Sequence, residues 1–339
     1  MRSTLADIAR EAGVSNATVD RVLNNRPGVK GRTREVVLET AQRLGYIEDH
    51  KPEPSAIIER VRLLFVLPKG TNAYIANLQN QIELQASHRP ELDVAIQAIE
   101  GFNPDTLAKT LRDLDPSIRG VGIIALDHPS VRAAIQSIEA RGVKIVTLAS
   151  DIHVVARTAY VGIDNRAAGR LAGYVMGRFM GTGGNRKVAL FAGSLSYRGH
   201  EEREMGFRHV LAEDFPNLKI VELREMGDDR ERAYREATML LDQYEDLAGI
   251  YNIGAGNQGI ARALREHGKA GKVTFIGHDA TEGNKALLLD GTIDAVIDQN
   301  PRVQAREALN ILYSAVTGSA CQTHPFRLQI IFRENIPED

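Results

Sequence analysis

The sequence predicts a mixed α/β protein in which two doubly wound parallel-sheet subdomains follow an all-α headpiece of helix, turn and helix. Three observations carry this. The first 46 residues hold three short stretches with apolar residues at helical spacing. From Val61 onward, short β-rich apolar runs alternate with helical patterns, as expected of strands covered by helices on both faces. At 339 residues, 43% of them hydrophobic and 25% charged, the chain has the composition of folded domains and exceeds what one ordinary core organises.

Leu5, Ile8, Ala9 and Ala12 share one face of a first helix, and Thr4 and Asp7 are spaced as a capping pair. Gly13 suits the left-handed residue that ends a helix, and Ser15 can cap a second helix reaching about Leu23. On it Val19, Val22 and Leu23 point inward, leaving Asn16, Ala17, Thr18 and Arg21 outward. A third helix over 32–44 brings Val36, Val37, Ala41 and Leu44 to close a small core. From Arg21 to Arg34 the chain carries Arg21, Arg26, Lys30, Arg32 and Arg34 with no acidic residue. Three-helix packing does not require that arrangement, whereas a phosphate-contacting face does, and small polar groups at a helix start suit the major groove. Residues 47–61, with Pro52, Pro54 and four acidic residues, read as an exposed connector.

The β-rich runs fall at 61–67, 93–99, 121–126, 144–148 and 159–163, then again at 187–192, 219–223, 249–253, 273–277 and 295–298. Two similar subdomains follow from this repetition. A ligand of such a pair belongs in the cleft beyond the carboxyl ends of the strands. Asn72 and Tyr74 follow the first run, Asp151 the fourth, Arg203 the sixth, Asp279 the ninth and Gln299 the tenth. Their convergence suits a polyol, which needs many paired donors and acceptors.

Catalytic, metal and cofactor sites are not expected. "GTGGNRK" at 181–187 lacks the Gly-Lys-Ser/Thr ending of a phosphate cradle, "HEERE" at 200–204 lacks a second His at ligand spacing, and the histidines are scattered. Cys321, the single cysteine, is expected to be a buried inert thiol. No apolar run is long enough for a membrane span and no signal-peptide pattern opens the chain, so a cytoplasmic protein with no membrane partner is expected.

"TLADIAREAGVSNATVDRVLNNRPGVKGRTREVVLETAQRLGY", Thr4 to Tyr46, resembles the headpiece of the lactose/galactose-repressor family of bacterial transcription regulators without a gap. The resemblance implies that Asn16, Ala17 and Arg21 read bases while Thr4, Ser15, Thr18, Asn24, Thr33 and Arg34 hold phosphates. Asp20 and Lys30 depart from the serines common at their positions, and Asp20 would repel phosphate if it faced the duplex. In that family the connector becomes a hinge helix. Here Ile57 or Ile58 would be its minor-groove wedge, or both would pack on the next domain. "YVGIDNRAAGRLAGYVMG" and "FIGHDATEGNKALLLDGTIDAVIDQNP" resemble the type-I periplasmic sugar-binding fold used by the family as its sensor. That implies Asp279, Arg203 and Gln299 on ligand hydroxyls and Tyr74 on the ring. Asn252 joins them although "YNIGAGNQG" departs from the usual Asn-Asp.

The expected organisation is a headpiece at 1–46, a hinge at 47–60 and an effector-binding and dimerisation domain at 61–339. Within the last, the N-subdomain spans about 61–163 and 300–322, and the C-subdomain about 164–299 and 323–339. The expected function is a DNA-binding transcriptional regulator of repressor type, not an enzyme. It would act as a homodimer on a pseudo-palindromic double-stranded operator, under control of a sugar or polyol and without a cofactor. The rival readings are a solute-binding transport protein and an enzyme on an α/β scaffold.

Overall fold

Reciprocal capping starts the chain's first helix, α1 (Leu5–Ala12): Thr4 Oγ1 donates to Asp7 Oδ2 at 2.6 Å, and Asp7 N donates back to Thr4 Oγ1 at 3.4 Å. Gly13 ends it at φ +67°, a conformation that is costly for a residue with a Cβ. Ser15 Oγ accepts from Thr18 N at 3.2 Å and so opens α2 (Asn16–Leu23), while Lys30 starts α3 (Gly31–Arg43) without a side-chain hydrogen bond. Ile8, Val19, Val37 and Ala41 are fully buried between the three helices. Val36, expected in this core, is 40% exposed because Val37 takes the inward position. The computed structural model describes residues 4–24, 26, 28–46, 60–152, 154–321 and 323–337, and divides into two units, Met1–Glu59 and Arg60–Asp339.

The second unit holds two sheets. In the first, β1 (Val61–Lys69), β2 (Leu92–Glu100), β3 (Gly120–Ile123), β4 (Lys144–Leu148) and β5 (Ala159–Val161) lie in the order β2-β1-β3-β4-β5, all parallel. Its crossovers carry α4 (Ala73–Ser87), α5 (Pro104–Arg112) and α6 (Pro129–Glu139). Leu63, Phe65 and Leu67 of β1 enter one core layer and Leu64 and Val66 the other, so both sheet faces are covered. After α7 (Asn165–Met180) the second sheet is built from β6 (Arg186–Ala192), β7 (Leu218–Glu225), β8 (Leu247–Asn252), β9 (Thr274–His278) and β10 (Ala295–Asp298). These alternate with α8 (Arg198–Asp214), α9 (Arg230–Gln243), α10 (Asn257–Glu266) and α11 (Glu282–Leu289).

The chain then crosses back. Leu309 and Leu312 of α12 (Pro301–Thr317) pack in the same core as Leu63 and Phe65 of the first sheet. A final strand, β11 (Gln329–Ile331), pairs with β10 at the edge of the second sheet, whose order is β11-β10-β9-β8-β6-β7. β11 was not foreseen: three residues leave no periodicity to read, and it runs antiparallel to β10. Cys321 is exposed, contrary to the expected buried thiol, because it lies in the segment between α12 and β11 rather than within an element.

One close approach fixes the middle of the second subdomain. A Cβ on Gly169 of α7 would stand 1.9 Å from the carbonyl oxygen of Arg203 on α8, and a Cβ on Gly206 would stand 2.1 Å from that of Arg166. The helix backbones therefore touch. Gly169→Ala is expected to cost about 1–3 kcal/mol of stability or more by forcing the helices apart. Gly183→Ala, where an added Cβ meets nothing within 4 Å, is expected to be near neutral, and denaturant unfolding of both variants checks the contrast.

Candidate functional site

The carboxyl ends of strands from both sheets surround one cavity, of about 860 Å³ when the solvent-open space at its mouth is included, in the position where ligands of such folds bind. The first sheet supplies Asn72 and Tyr74 after β1 and Phe102 after β2. The second supplies Arg203 on α8, Asp279 after β9 and Gln299 after β10.

Arg203 is 3% exposed. Its Nε donates to Asn165 Oδ1 at 2.8 Å and its Nη1 to the Ile253 carbonyl at 2.9 Å, two neutral acceptors that orient a buried cation without neutralising it. Asp279 stands at φ +70°, which turns the chain sharply as it leaves β9, and its Oδ1 accepts from Gln299 Nε2 at 2.8 Å. Burial pushes the Asp279 carboxyl up to about 7. The Arg203 guanidinium pulls against that shift, and Asp298 adds to it. Gln299 Oε1 is buried with no hydrogen-bond partner, although the carbonyl of the same residue accepts from Gln304 Nε2 at 3.2 Å. Tyr74 gives its hydroxyl to Gln304 Oε1, leaving its ring on the cavity wall.

Two of the residues picked from the sequence stand elsewhere. Asp151 accepts from Thr147 Oγ1 at 2.7 Å and pairs with Arg157, while Ala149, at φ +56°, and Ser150 take the wall after β4. Asn252 is fully buried, and its amide donates to Ala255 O at 2.9 Å and Asn257 Oδ1 at 2.6 Å. It thereby shapes the loop whose Gly254 and Ala255 reach the cavity.

Phe102, Tyr197, His200 and Asp228 are among the wall residues that the sequence did not point to. Phe102 and Tyr197 meet edge to face at 5.2 Å, and Tyr197 meets His200 in the same way at 5.7 Å. Burial lowers the His200 imidazole below its ordinary range, partly opposed by Asp228. Asp228, at φ +54°, accepts from Ala255 N at 2.9 Å and from Asn72 Nδ2 at 3.0 Å. Its position directly after β7 was the signal that could have found it.

In the first unit Ser15, Ala17, Thr18 and Arg21 of the second-helix region gather with Lys30 and Thr33 around one hollow. Asn16 is exposed on the first turn of α2. Thr4 is engaged in the α1 cap, and Arg34 Nη2 reaches the Arg26 carbonyl at 3.5 Å. Asn24 donates to Asp20 O at 3.1 Å and Oδ1 at 2.8 Å, and Arg26 pairs with Asp20 at 3.3 Å, so the one acid of α2 is compensated locally. Ile57 and Ile58 lie outside the described residues. Among the described residues no cluster of His, Cys, Asp or Glu could hold a metal ion, and no helix is long and apolar enough to cross a membrane.

A helical headpiece with clustered basic residues, and a two-sheet unit with a polar cleft at its strand ends, define a two-part chain whose second part has a binding-protein fold. Residues 63–320 match the periplasmic binding protein domain, and residues 4–49 match the lacI family of bacterial regulatory proteins. The chain belongs to the periplasmic binding protein domain family over most of its length, and it carries a lacI-family domain at its start.

The HTH-type transcriptional regulator MalR of Streptomyces coelicolor is 33% identical over 180 residues, 51% of this chain and 49% of that protein. The D-ribose/D-allose-binding protein of Pseudomonas aeruginosa is 30% identical over 150 residues, 43% of this chain and 45% of that one. The chain thus spans about half the length of these curated relatives. The fold is shared with the crystal structure of GanP, a glucose-galactose binding protein from Geobacillus stearothermophilus, with a TM-score of 0.74 and 22% identity, over 83% of this chain and all of that one.

Asp279 makes a pH test available. Its carboxyl is raised from 3.8 to about 7 in the folded chain, so between those values the folded state holds a proton that the unfolded state has lost. Its contribution therefore lowers stability as pH rises through that window and is constant outside it. Asp279→Asn removes the ionisable group, and Asn tolerates the positive φ. Denaturant unfolding should show the variant gaining on the wild type between about pH 4 and about pH 8, by roughly 4 kcal/mol at most. A difference independent of pH would show that this carboxyl ionises as it does in water.

Proposed function

We propose that the chain is a DNA-binding transcriptional regulator of repressor type, acting in the cytoplasm as a homodimer on a pseudo-palindromic operator and controlled by a sugar or polyol. The observation that carries the effector reading is the cavity floor. A buried guanidinium and a carboxyl line the space beside aromatic rings, together with Gln299, whose amide oxygen is buried without a partner. Hydroxyl groups both donate and accept, so a polyol can satisfy all three, with hydrogen bonds to the charged groups contributing about 1.5–3 kcal/mol each. Relatives named for ribose, allose, glucose and galactose support the same class.

The DNA reading rests on the lacI match and on the exposed start of α2 beside Arg21 and Lys30. Base contacts come from Asn16, Ala17 and Arg21, and phosphate contacts from Thr4, Ser15, Thr18, Thr33 and Arg34. Asn24 can add its contact only by releasing Asp20. An effector can act on such a protein only by preferring one arrangement of the two subdomains.

Two titrations test this. Gel shifts on operator fragments should show Arg21→Ala losing discrimination at one base pair per half-site, by about 1–3 kcal/mol, while Arg34→Ala weakens all sequences alike. Equal loss of salt dependence with unchanged base preference in both variants would remove Arg21 from base readout. Titrating the operator complex with a panel of sugars and polyols should identify a compound that shifts wild-type binding. Asp279→Ala should still bind the operator and lose that shift, and a full wild-type response would remove Asp279 from the effector site.

A further inference from the structure

We propose that Asn72 and Asp228 form a closure latch, a hydrogen-bonded pair across the cleft by which the chain's own side chains tie the two subdomains together. Asn72 follows β1 in the first subdomain and Asp228 follows β7 in the second. Asn72 Nδ2 donates to Asp228 Oδ2 at 3.0 Å, and the neighbouring Thr71 Oγ1 donates to the Asp228 carbonyl at 3.3 Å. Thr71 and Asp228 line both the inner cavity and a wider outer hollow of about 1,100 Å³ that reaches Arg230 and Glu282. The pair therefore stands on the rim, where separation of the subdomains must break it.

Both sides of the latch are built for it. Asn72 Oδ1 caps α4, accepting from Tyr74 N at 3.0 Å and Ile75 N at 3.4 Å, which leaves only the amide NH₂ to face the cleft. Asp228 sits at φ +54°, and its Oδ1 accepts from Ala255 N at 2.9 Å, so Oδ2 is the oxygen left for Asn72. A Cβ at Gly193 would stand 2.2 Å from Asp228 Oδ1, and one at Gly254 would stand 2.4 Å away. Neither glycine has a left-handed backbone, so what each position requires is the space that the carboxylate fills. Other bonds also cross between the subdomains, among them Gly199 N to Ser150 Oγ at 3.1 Å. The latch differs from that one in joining a side-chain donor to a carboxylate, a pairing that can be inverted by exchanging the two residues.

That inversion is the test. Asn72→Asp keeps the cap, since Asn and Asp cap helices about equally well, but sets two carboxylates face to face. Asp228→Asn alone must set its NH₂ against another donor, either the Asn72 NH₂ or the Ala255 N–H. The double exchange, Asn72→Asp with Asp228→Asn, restores the bond between the two side chains with donor and acceptor reversed, and leaves the α4 cap and the Ala255 N–H bond as they were. Hydrogen–deuterium exchange of the full chain, with no sugar present, should show amides of 69–72 and 226–229 exchanging roughly tenfold faster in each single variant, as expected when a charged hydrogen bond is lost. The double variant should return to the wild-type rate. Single variants that exchange like the wild type would overturn the latch. So would a double variant as fast as the singles, or faster exchange confined to 73–87, which would mean that only the α4 cap was disturbed. Because no effector enters the measurement, its failure would leave the sugar-binding reading standing.

Discussion

Parallel strands cannot be joined by tight turns, and each must be followed by a crossover long enough to return the chain to the starting edge of the sheet. The rest of the second unit depends on that constraint. The helices filling the crossovers cover both faces of each sheet, which is why β6 divides its side chains between two cores, Val188, Leu190 and Ala192 in one and Ala189 and Phe191 in the other. The constraint also sends the carboxyl ends of the parallel strands of each sheet to a common edge. Two sheets so organised bring their loops together around a single cavity, and groups as far apart in sequence as Asn72 and Gln299 become neighbours on its wall.

Within that cavity, packing and chemistry are coupled through one helix contact. Arg203 contributes both the carbonyl that Gly169 approaches and the guanidinium that reaches the cavity floor. A buried cation held only by neutral acceptors is costly, as are a carboxyl raised to about 7 and an amide oxygen without a partner. The floor thus carries unmet polar demand that a hydroxyl-rich ligand can relieve. Such relief favours the closed arrangement, in which both walls face the ligand at once.

The headpiece solves a different problem. Each of its helices is too short to be stable alone, and burial of Ile8, Val19, Val37 and Ala41 makes the three of them one unit. The outward side of α2 remains free of structural duty, and Asp20 is kept from spoiling it by Asn24 and Arg26.

The sequence by itself determined the elements. Local periodicity and capping residues placed α1 and α2 at their observed bounds, and β-rich runs marked the strands of both sheets except β11. Those signals are legible because they depend on neighbours one to four positions away. The strand-end rule likewise pointed to Asn72, Tyr74, Arg203, Asp279 and Gln299, which line the cavity. Tertiary structure decided which strand-end residues turn toward the cavity. A backbone turn at Ala149 put Ser150 on the wall in place of Asp151, and the loop bonds of Asn252 put Ala255 there. It also brought in Phe102, Tyr197, His200 and Asp228, whose positions depend on loop conformation and on space left by glycines remote in the chain. Periodicity fixes where an element lies, but a loop side chain's direction follows from dihedral angles and contacts that no short window of sequence contains.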